Sequence, residues 1–167
     1  CRNCAASRLT FRPARDVPRK LQVSRRENPV RMVGKRNRPL SSTSPATPRL
    51  AVIGCGGWGK NIARTVFKLG HLAAVVDPSE AGRTTAAQIA PGVPVHASID
   101  AVLTDPSIPA VMIATPAHTH YEQACKAIAA GKDVFVEKPL TIDFEEAKDL
   151  VVRARQAGRL LMVGHLL

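Results

Sequence analysis

The residues with the clearest chemical potential lie between Gly54 and Gly59, where GCGGWG has the spacing G-x-G-x-x-G. After a strand and before a helix, this spacing lets backbone N–H groups approach the diphosphate of a dinucleotide. Gly54 would form the tight turn, Gly56 would admit the diphosphate, and Gly59 would let the helix pack closely on the strand. The motif predicts a dinucleotide site. A glycine turn that serves only packing is the alternative.

An acidic residue at a suitable distance extends this motif. Asp77 ends a second apolar run 18 residues after Gly59, where a carboxylate accepts hydrogen bonds from the adenine ribose hydroxyls. Its negative charge opposes a 2′-phosphate, so we expect NAD rather than NADP. Cys55, Gly57 and Trp58 complete the turn and are assigned to the same cofactor site. Trp58 either lies along the cofactor or packs over the loop.

A second polar group stands in the stretch VFVEKPLT, which covers residues 134–141. Glu137 and Lys138 bring two opposite charges to the mouth of an apolar strand, and Pro139 ends that strand. Charges that merely solvate a turn are the simpler interpretation. The alternative is that Lys138 works at a ligand site, with Glu137 orienting the turn or the lysine, and we assign both residues to the cofactor site. Turns of this kind favour a cis bond before proline, which we expect between Lys138 and Pro139.

A third group follows another apolar run and consists of Thr115, Pro116, His118 and His120. The histidines form an H-x-H pair, but positions i and i+2 at a helix start do not converge, and no third ligand is at hand. We therefore predict no metal. His118 is expected to be solvated or to cap the helix. His120 either faces the nicotinamide end of a cofactor site or packs against the helix, and we assign Thr115, Pro116 and His120 to that site.

An alternation of short apolar runs and helical patterns from Arg49 onward positions these residues. The expected strands cover Leu50–Gly54, Leu72–Asp77, Val93–His96, Ala110–Thr115, Asp133–Glu137 and Arg159–Leu167. The expected helices cover Lys60–Gly70, Ser79–Ala90, Ser98–Asp105, His118–Gly131 and Asp143–Gly158. Continuous apolar strands are buried on both faces, which indicates a parallel sheet covered by helices on both sides. The fold class is therefore α/β, a Rossmann-type doubly wound parallel sheet.

Two helices carry more specific signals. In the first helix Ile62, Val66 and Leu69 share one face, which predicts that all three are buried. In the last helix Asp143 precedes the apolar pattern and Glu146 follows three residues later, which indicates a capping box. In a sheet of this kind, ligands bind at the carboxyl ends of the strands. The three polar groups above all follow strand ends, so we expect them to meet at one edge.

The basic charge of the chain is confined to residues 1–48. This stretch holds 12 of the 24 Lys and Arg residues, opposed only by Asp16 and Glu27, for a net charge of +10, whereas residues 49–167 carry +1. It has no hydrophobic period and is rich in Arg, Pro and Ser, so we expect a disordered tail and linker. An irrelevant extension, a targeting segment, and a nucleic-acid or membrane arm are the interpretations in order of preference.

The cysteines and the hydropathy pattern indicate the type of cellular compartment. Cys1 and Cys4 form a lone C-x-x-C, whereas zinc needs four ligands. Cys55 and Cys125 lie in apolar contexts, which indicates reduced, buried thiols. The sequence has no run of 18 apolar residues, so no membrane span is predicted. We expect a reducing, cytoplasmic location.

Three spaced stretches, AVIGCGGWGKN, IATPAHTHYEQACKAIAAGKDVFVEKPL and MVGHLL, resemble the glucose–fructose oxidoreductase/inositol dehydrogenase (Gfo/Idh/MocA) family. The likeness covers residues 49–167. The Glu-Lys-Pro signature of the family stands at Glu137, Lys138 and Pro139, and its Thr-Pro followed by His stands at Thr115–Pro116 and His120. GGWGKN together with VGHLL looks most like the branch that oxidises UDP-N-acetylglucosamine-type nucleotide sugars at C3.

This resemblance implies an NAD-dependent oxidoreductase that moves a hydride between nicotinamide and a hydroxyl-bearing carbon of a sugar or nucleotide sugar. The family lysine that matches Lys138 lies beside nicotinamide and substrate, which implies a catalytic role for Lys138. A second α/β domain that binds the sugar, and a homo-oligomeric parent protein, are also implied. Residues 49–167 resemble the cofactor half, which we expect to be inactive alone. A non-catalytic NAD-binding module and an inactive truncated product are the alternatives.

Overall fold

The computed structural model describes residues 49–165, and within them it contains six strands and five α-helices. The strands are β1 (Leu50–Ile53), β2 (Leu72–Val76), β3 (Val95–His96), β4 (Ala110–Ile113), β5 (Asp133–Glu137) and β6 (Leu161–Gly164). The helices are α1 (Gly59–Lys68), α2 (Glu80–Ile89), α3 (Asp100–Leu103), α4 (His120–Ala129) and α5 (Phe144–Ala157). The predicted tail, the Cys1–Cys4 pair and the last two residues lie outside the described residues.

One parallel sheet with the strand order β3-β2-β1-β4-β5-β6 forms the centre of this domain. The chain starts at β1, continues outward through β2 and β3, and then crosses to β4 on the other side of β1. This reversal is the topological switch point of a doubly wound sheet. The predicted Rossmann-type fold is therefore confirmed.

Helices cover both faces of the sheet, because successive strand residues point to opposite sides. On one face Val52 and Val75 pack with Ala63 of α1 and Ala86 of α2. On the other face the core includes Ile53, Val76, Val102, Ile113, Ala124, Ile128, Val136, Leu150 and Ala154. The small alanines let the helices approach the sheet closely.

Side-chain caps fix the starts of two helices. The Asp143 carboxylate accepts hydrogen bonds from the backbone N–H groups of Glu145 and Glu146 at 2.7 and 3.1 Å, which confirms Asp143 as the N-cap of α5. The return bond of a capping box, from the Asp143 N–H to the Glu146 side chain, is absent among the described residues. At α2 the Ser79 hydroxyl accepts from the Gly82 N–H at 3.0 Å. These bonds satisfy N–H groups that the first turn of a helix leaves without partners.

Three expectations about burial are wrong. Ile62 is half-buried and Leu69 is 64% exposed, whereas Ala63 and Val66 are buried. Because α1 starts at Gly59 against the end of β1, its contact face runs through Gly59, Ala63 and Val66 and has turned away from the sheet at Leu69. Cys125 is half-buried rather than buried.

Several elements are shorter than the sequence pattern indicates. Helix α3 ends at Leu103, because Pro106 lacks an N–H and disfavours a helical residue before it. Strand β6 stops at Gly164, where the His165 N–H donates to the Val163 carbonyl oxygen at 3.0 Å and turns the chain. Strand β3 is an edge strand of two residues that starts directly after Pro94, which has no N–H to donate to a neighbouring strand.

Candidate functional site

A cleft of about 830 Å³ opens at the carboxyl edge of the sheet, over the switch point between β1 and β4. Its lining consists of Ile53, Gly54, Gly56, Gly57, Trp58, Val76, Asp77, Pro78, Ser79, Ala97, Ser98, Ile99, Ala114, Thr115, Pro116, Thr119 and Gln123. The ends of β1, β2 and β4 and the loop after β3 therefore meet around one volume. This volume suits a ligand of considerable size.

Close packing inside the protein explains two glycines of the turn. Gly54 has a φ of +93°, and a Cβ there would lie 2.8 Å from the Ala114 carbonyl oxygen. A Cβ on Gly59 would lie 2.0 Å from the Gly54 carbonyl oxygen. The first residue of α1 therefore rests directly on the end of β1, and only glycine permits this contact.

The other two glycines of the turn have no such explanation. A Cβ on Gly56 or on Gly57 would meet no atom within 4 Å, and both residues are exposed at the cleft. Their backbone N–H groups donate to no acceptor among residues 49–165. Because Gly56 and Gly57 have no side chains, their backbone N–H groups are accessible to a ligand in the cleft.

The Asp77 carboxylate holds the glycine turn from the neighbouring strand end. Its Oδ2 accepts a hydrogen bond from the Cys55 N–H at 2.8 Å, and its Oδ1 accepts from the Ser79 N–H and hydroxyl at 2.9 and 2.7 Å. Gly82 leaves room for the carboxylate, since a Cβ there would lie 2.1 Å from Asp77 Cγ. Asp77 lines the cleft although it is 7% exposed. Cys55 takes part through its backbone, and its side chain is buried.

These contacts also set the charge states of the two residues. Burial alone would raise the pKa of Asp77, but hydrogen bonds from Ser79 and Cys55, together with the Arg83 charge, lower it below its ordinary value. Burial, and then the nearby Asp77 charge, raise the pKa of the Cys55 thiol. At neutral pH the site therefore holds a carboxylate and an unreactive thiol.

Thr115 and Pro116 lie where β4 delivers the chain to the cleft. The Thr115 hydroxyl is 2.8 Å from the Thr119 hydroxyl and 2.9 Å from the Gln123 amide oxygen. Thr119 and Gln123 are one helical turn apart at the start of α4, so both side chains reach Thr115. The three side chains form a polar wall of the cleft.

The two histidines of the H-x-H pair point to different places. His118 is exposed, whereas His120 is 1% exposed and is absent from the cleft lining. The ring nitrogens of His120 lie 2.8 Å from the carbonyl oxygens of Pro139 and Thr115. His120 therefore ties the end of β4 to the turn after β5. The peptide bond between Lys138 and Pro139 in that turn is cis, as the sequence predicts.

Glu137 and Lys138 lie at the end of β5, beside the cleft lining rather than within it. Trp58 joins them to the glycine turn: its Nε1 lies 3.1 Å from Glu137 Oε1, and Lys138 Nζ lies 5.8 Å from the centre of its ring. The structure thus brings together the glycine turn, Asp77, Thr115–Pro116 and the Glu137–Lys138 pair along one edge. It places His120 behind that edge.

Sequence reasoning missed four residues of this edge: Ser79, Gly82, Thr119 and Gln123. The first two shape Asp77, and the spacing Asp77-Pro-Ser79 is a signal for a side-chain turn. Thr119 and Gln123 stand at i and i+4 on a helix that starts at the site, which is the spacing of a shared face. No sequence signal places that face toward Thr115.

Comparison with known families decides the relationship. The family described as an oxidoreductase family with an NAD-binding Rossmann fold, Gfo/Idh/MocA, matches residues 48–165. The chain belongs to this family. The resemblance drawn from the sequence motifs is therefore confirmed, and the family accounts for the parallel sheet and for the glycine turn at its carboxyl edge.

Curated proteins that match this chain are about one-third identical to it over the aligned residues. The UDP-N-acetylglucosamine 3-dehydrogenase of Acidithiobacillus ferrooxidans is 36% identical over 120 residues, which are 71% of this chain and 37% of that protein. The inositol 2-dehydrogenase of Agrobacterium fabrum is 33% identical over 125 residues, covering 72% and 37%. The chain thus spans about a third of the length of these relatives.

Solved structures of the family superpose on the same region. The WlbA dehydrogenase from Chromobacterium violaceum, solved with NADH and UDP-GlcNAcA, has a TM-score of 0.67 and 27% identity, covering 72% of this chain and 36% of that one. A 3-ketoreductase from Actinomadura kijaniata, solved with NADP and TDP-benzene, has a TM-score of 0.63 and 30% identity, covering 71% and 38%. Both nicotinamide cofactors therefore occur among the family's solved structures.

Within residues 49–165, no helix is long and apolar enough to cross a membrane. Nor does this part gather three or more His, Cys, Asp or Glu side chains into a group that could hold a metal ion.

Proposed function

We propose that residues 49–165 bind NAD and form the cofactor-binding half of an oxidoreductase acting on a sugar or nucleotide sugar. The observation that carries this proposal is the exposed pair Gly56 and Gly57, whose open backbone no contact within the protein explains. A dinucleotide diphosphate fits this feature, because it is an anion that binds through backbone N–H groups at a helix start. Membership in an oxidoreductase family with an NAD-binding Rossmann fold also supports this proposal.

The cleft offers each part of the cofactor a suitable surface. Gly56 and Gly57, at the first turn of α1, would hold the diphosphate. Asp77, after the end of β2, would supply a carboxylate to the adenosine half. Thr115, Pro116 and Lys138, which follow the ends of β4 and β5, would hold the nicotinamide half. NAD supplies the hydride acceptor when it is bound.

The charge at Asp77 supports NAD over NADP. Its hydrogen bonds and the lowered pKa keep this carboxylate ionised. A negative charge at this position opposes the 2′-phosphate of NADP. Arg83 donates to the carbonyl oxygens of Asp77 and Pro78 at 3.2 and 2.8 Å, so its guanidinium is engaged beside the site.

Lys138 is the group to which we assign the chemistry at the sugar. Oxidation of a hydroxyl-bearing carbon releases a proton as the hydride leaves, so a positioned acid/base or cation is needed. An ammonium beside the reacting hydroxyl stabilises the developing alkoxide. The chain spans about a third of its relatives' length, and we expect turnover on the sugar to need residues from the remaining part.

A substitution in the glycine turn tests the proposed function. Gly56→Val should weaken NADH binding at least about tenfold, because its side chain occupies the approach to the diphosphate. The unfolding temperature should stay unchanged, because a Cβ at this position meets no atom within 4 Å. Calorimetric titration with NADH and thermal unfolding measure the two effects.

Two controls complete this experiment. Gly59→Ala should instead lower the unfolding temperature, because its Cβ would lie 2.0 Å from the Gly54 carbonyl oxygen. Inosine, which lacks a diphosphate, should not bind appreciably to the unsubstituted chain or to Gly56→Val. Absence of NADH binding by the unsubstituted chain, or equal binding by Gly56→Val, would contradict the proposed function.

A further inference from the structure

The indole of Trp58 spans the nicotinamide side of the cleft. Its Nε1–H donates to Glu137 Oε1 at 3.1 Å, and this bond joins the turn after β1 to the end of β5. Strand β4 lies between those two strands, so the side chain passes over the end of β4. Trp58 is 51% exposed and lines the cleft. Burial in the core therefore does not explain an indole at this position.

The Glu137 carboxylate that accepts this bond occupies a space that the neighbouring strand leaves open. Gly164 of β6 pairs with Glu137, and a Cβ on Gly164 would lie 3.0 Å from Glu137 Oε1 and 2.6 Å from Phe135 Cζ. Any larger residue at 164 would push the carboxylate away. The absence of a side chain at Gly164 thus creates the space in which Glu137 meets the indole.

The same indole locates the ammonium of Lys138. Lys138 Nζ lies 5.8 Å from the ring centre, a distance at which a cation is attracted to the face of an aromatic ring. Among residues 49–165, Lys138 forms no ion pair. Among the described residues, the ring face is therefore the contact that the Lys138 ammonium makes.

We propose that Trp58 is a positioning residue that holds Lys138 and Glu137 at the nicotinamide end of the cleft. The indole N–H fixes Glu137, and the ring face fixes the Lys138 ammonium; we call these three side chains the indole clamp. This inference rests on the proposed function, because it assigns the clamp a place beside the nicotinamide. It adds a residue of the glycine turn to the machinery that orients Lys138.

The clamp has two spectroscopic signatures, both readable in the chain of 167 residues because it contains a single tryptophan. The indole N–H gives one proton resonance, which the bond to Glu137 protects from exchange with solvent. The ε-methylene protons of Lys138 lie near the ring face and are shifted upfield by its ring current. Nuclear magnetic resonance therefore reports the two contacts separately, and Lys138→Arg assigns the lysine signal.

Substitutions separate the two contacts. Glu137→Ala should abolish the protection of the indole N–H, whereas Glu137→Gln, which keeps an acceptor oxygen, should retain it. Trp58→Leu should return the Lys138 signal to the position of an exposed lysine without a ring contact, such as Lys68 of α1. An unchanged Lys138 signal in Trp58→Leu, or an unchanged indole N–H in Glu137→Ala, would overturn the clamp.

Two ligands then test its location. Binding of NADH should change the chemical shifts of both the indole N–H and the Lys138 ε-methylene protons. ADP-ribose, which lacks the nicotinamide, should bind and leave both chemical shifts unchanged. Equal changes with the two ligands would overturn the assignment to the nicotinamide end. If neither ligand bound, the proposed function would fail, whereas the substitutions above would still decide whether the clamp exists.

Discussion

Gly56 and Gly59 stand three residues apart in one turn, yet they serve different partners. The protein itself requires Gly59, because α1 rests on the Gly54 carbonyl oxygen at that point. Nothing among the described residues requires Gly56, whose missing side chain faces open space. A glycine that the fold does not need is a sign of a ligand. Asp77 differs from both glycines, because its carboxylate accepts hydrogen bonds that shape the turn and also brings a negative charge to the cleft.

Lys138→Ala should reduce turnover about a hundredfold or more in a full-length enzyme that contains this domain, because the cation that we propose beside the reacting hydroxyl is lost. NAD affinity should remain close to that of the unsubstituted enzyme, because the diphosphate and ribose contacts are elsewhere. Steady-state kinetics and NADH titration measure the two effects. Lys148→Ala, at an exposed lysine of α5, is the matched control. Near-normal turnover of Lys138→Ala would remove its catalytic role.

Asp77→Ala should raise the affinity for NADPH relative to NADH by about tenfold, because the charge that opposes a 2′-phosphate is removed. It should also lower the free energy of unfolding by about 1–3 kcal/mol, because the buried Cys55 N–H loses its acceptor. Paired titrations and urea unfolding measure these quantities. An unchanged ratio of the two affinities would show that another group sets cofactor preference.

At the scale of elements, the strand ends carry the site and the helices carry its supports. Helix α2 supports Asp77 through Ser79 at its cap and Gly82 in its first turn. Helix α4 supports Thr115 through Thr119 and Gln123. The N-terminal residues of α2 and of α4 therefore contact the end of the strand that precedes each helix in the chain.

Gly82→Ala reveals how α2 and Asp77 depend on one another. Helix propensity alone predicts a gain of about 1 kcal/mol from alanine in a helix. The added Cβ, however, would lie 2.1 Å from Asp77 Cγ, and crowding of this kind costs about 1–3 kcal/mol. We expect a net loss in urea unfolding together with weaker NADH binding. Gly57→Ala, whose Cβ meets no atom within 4 Å, should show no such loss of stability; a stabilised Gly82→Ala would refute the coupling.

The contact between α4 and α5 gives a prediction that depends on pH. Tyr121 donates to Asp149 Oδ2 at 2.8 Å, and this bond is the main cause that raises the pKa of Tyr121 to about 12. The folded state therefore holds the phenolic proton more tightly than the unfolded state does. The stabilisation is complete below the ordinary pKa of about 10 and is lost as the pH rises through the folded value.

This shift can be measured directly, because Tyr121 is the only tyrosine of the chain. The absorbance of phenolate should appear with a midpoint well above that of free tyrosine. Asp149→Asn should lower the midpoint, because it removes the negative acceptor. Equal midpoints in the two proteins would mean that Asp149 does not hold the phenol.

Across the whole described domain, the sequence pattern predicts what depends on local order and misses what depends on contacts across the sheet. Apolar runs and caps gave the strands, the helices and their sequence along the chain. The glycine spacing and Asp77 predicted a ligand site at the edge of the sheet where the cleft lies. Burial of Leu69 was predicted from helical period alone and failed, because the docking of Gly59 on β1 sets the face of α1. The Trp58–Glu137 bond joins residues 79 positions apart, and no local pattern contains it.

The adjacency of β1 and β4 has a consequence for how the domain forms. Ile53 pairs with Ile113, so this contact closes a loop of about 60 residues, longer than any other strand pairing in the sheet. Loop closure of that length carries the largest chain-entropy cost of the five pairings and slows folding. The cleft lies over this seam. A dinucleotide bound there, as we propose, would bridge the halves β1–β2–β3 and β4–β5–β6 and would stabilise the pairing whose formation has the largest chain-entropy cost.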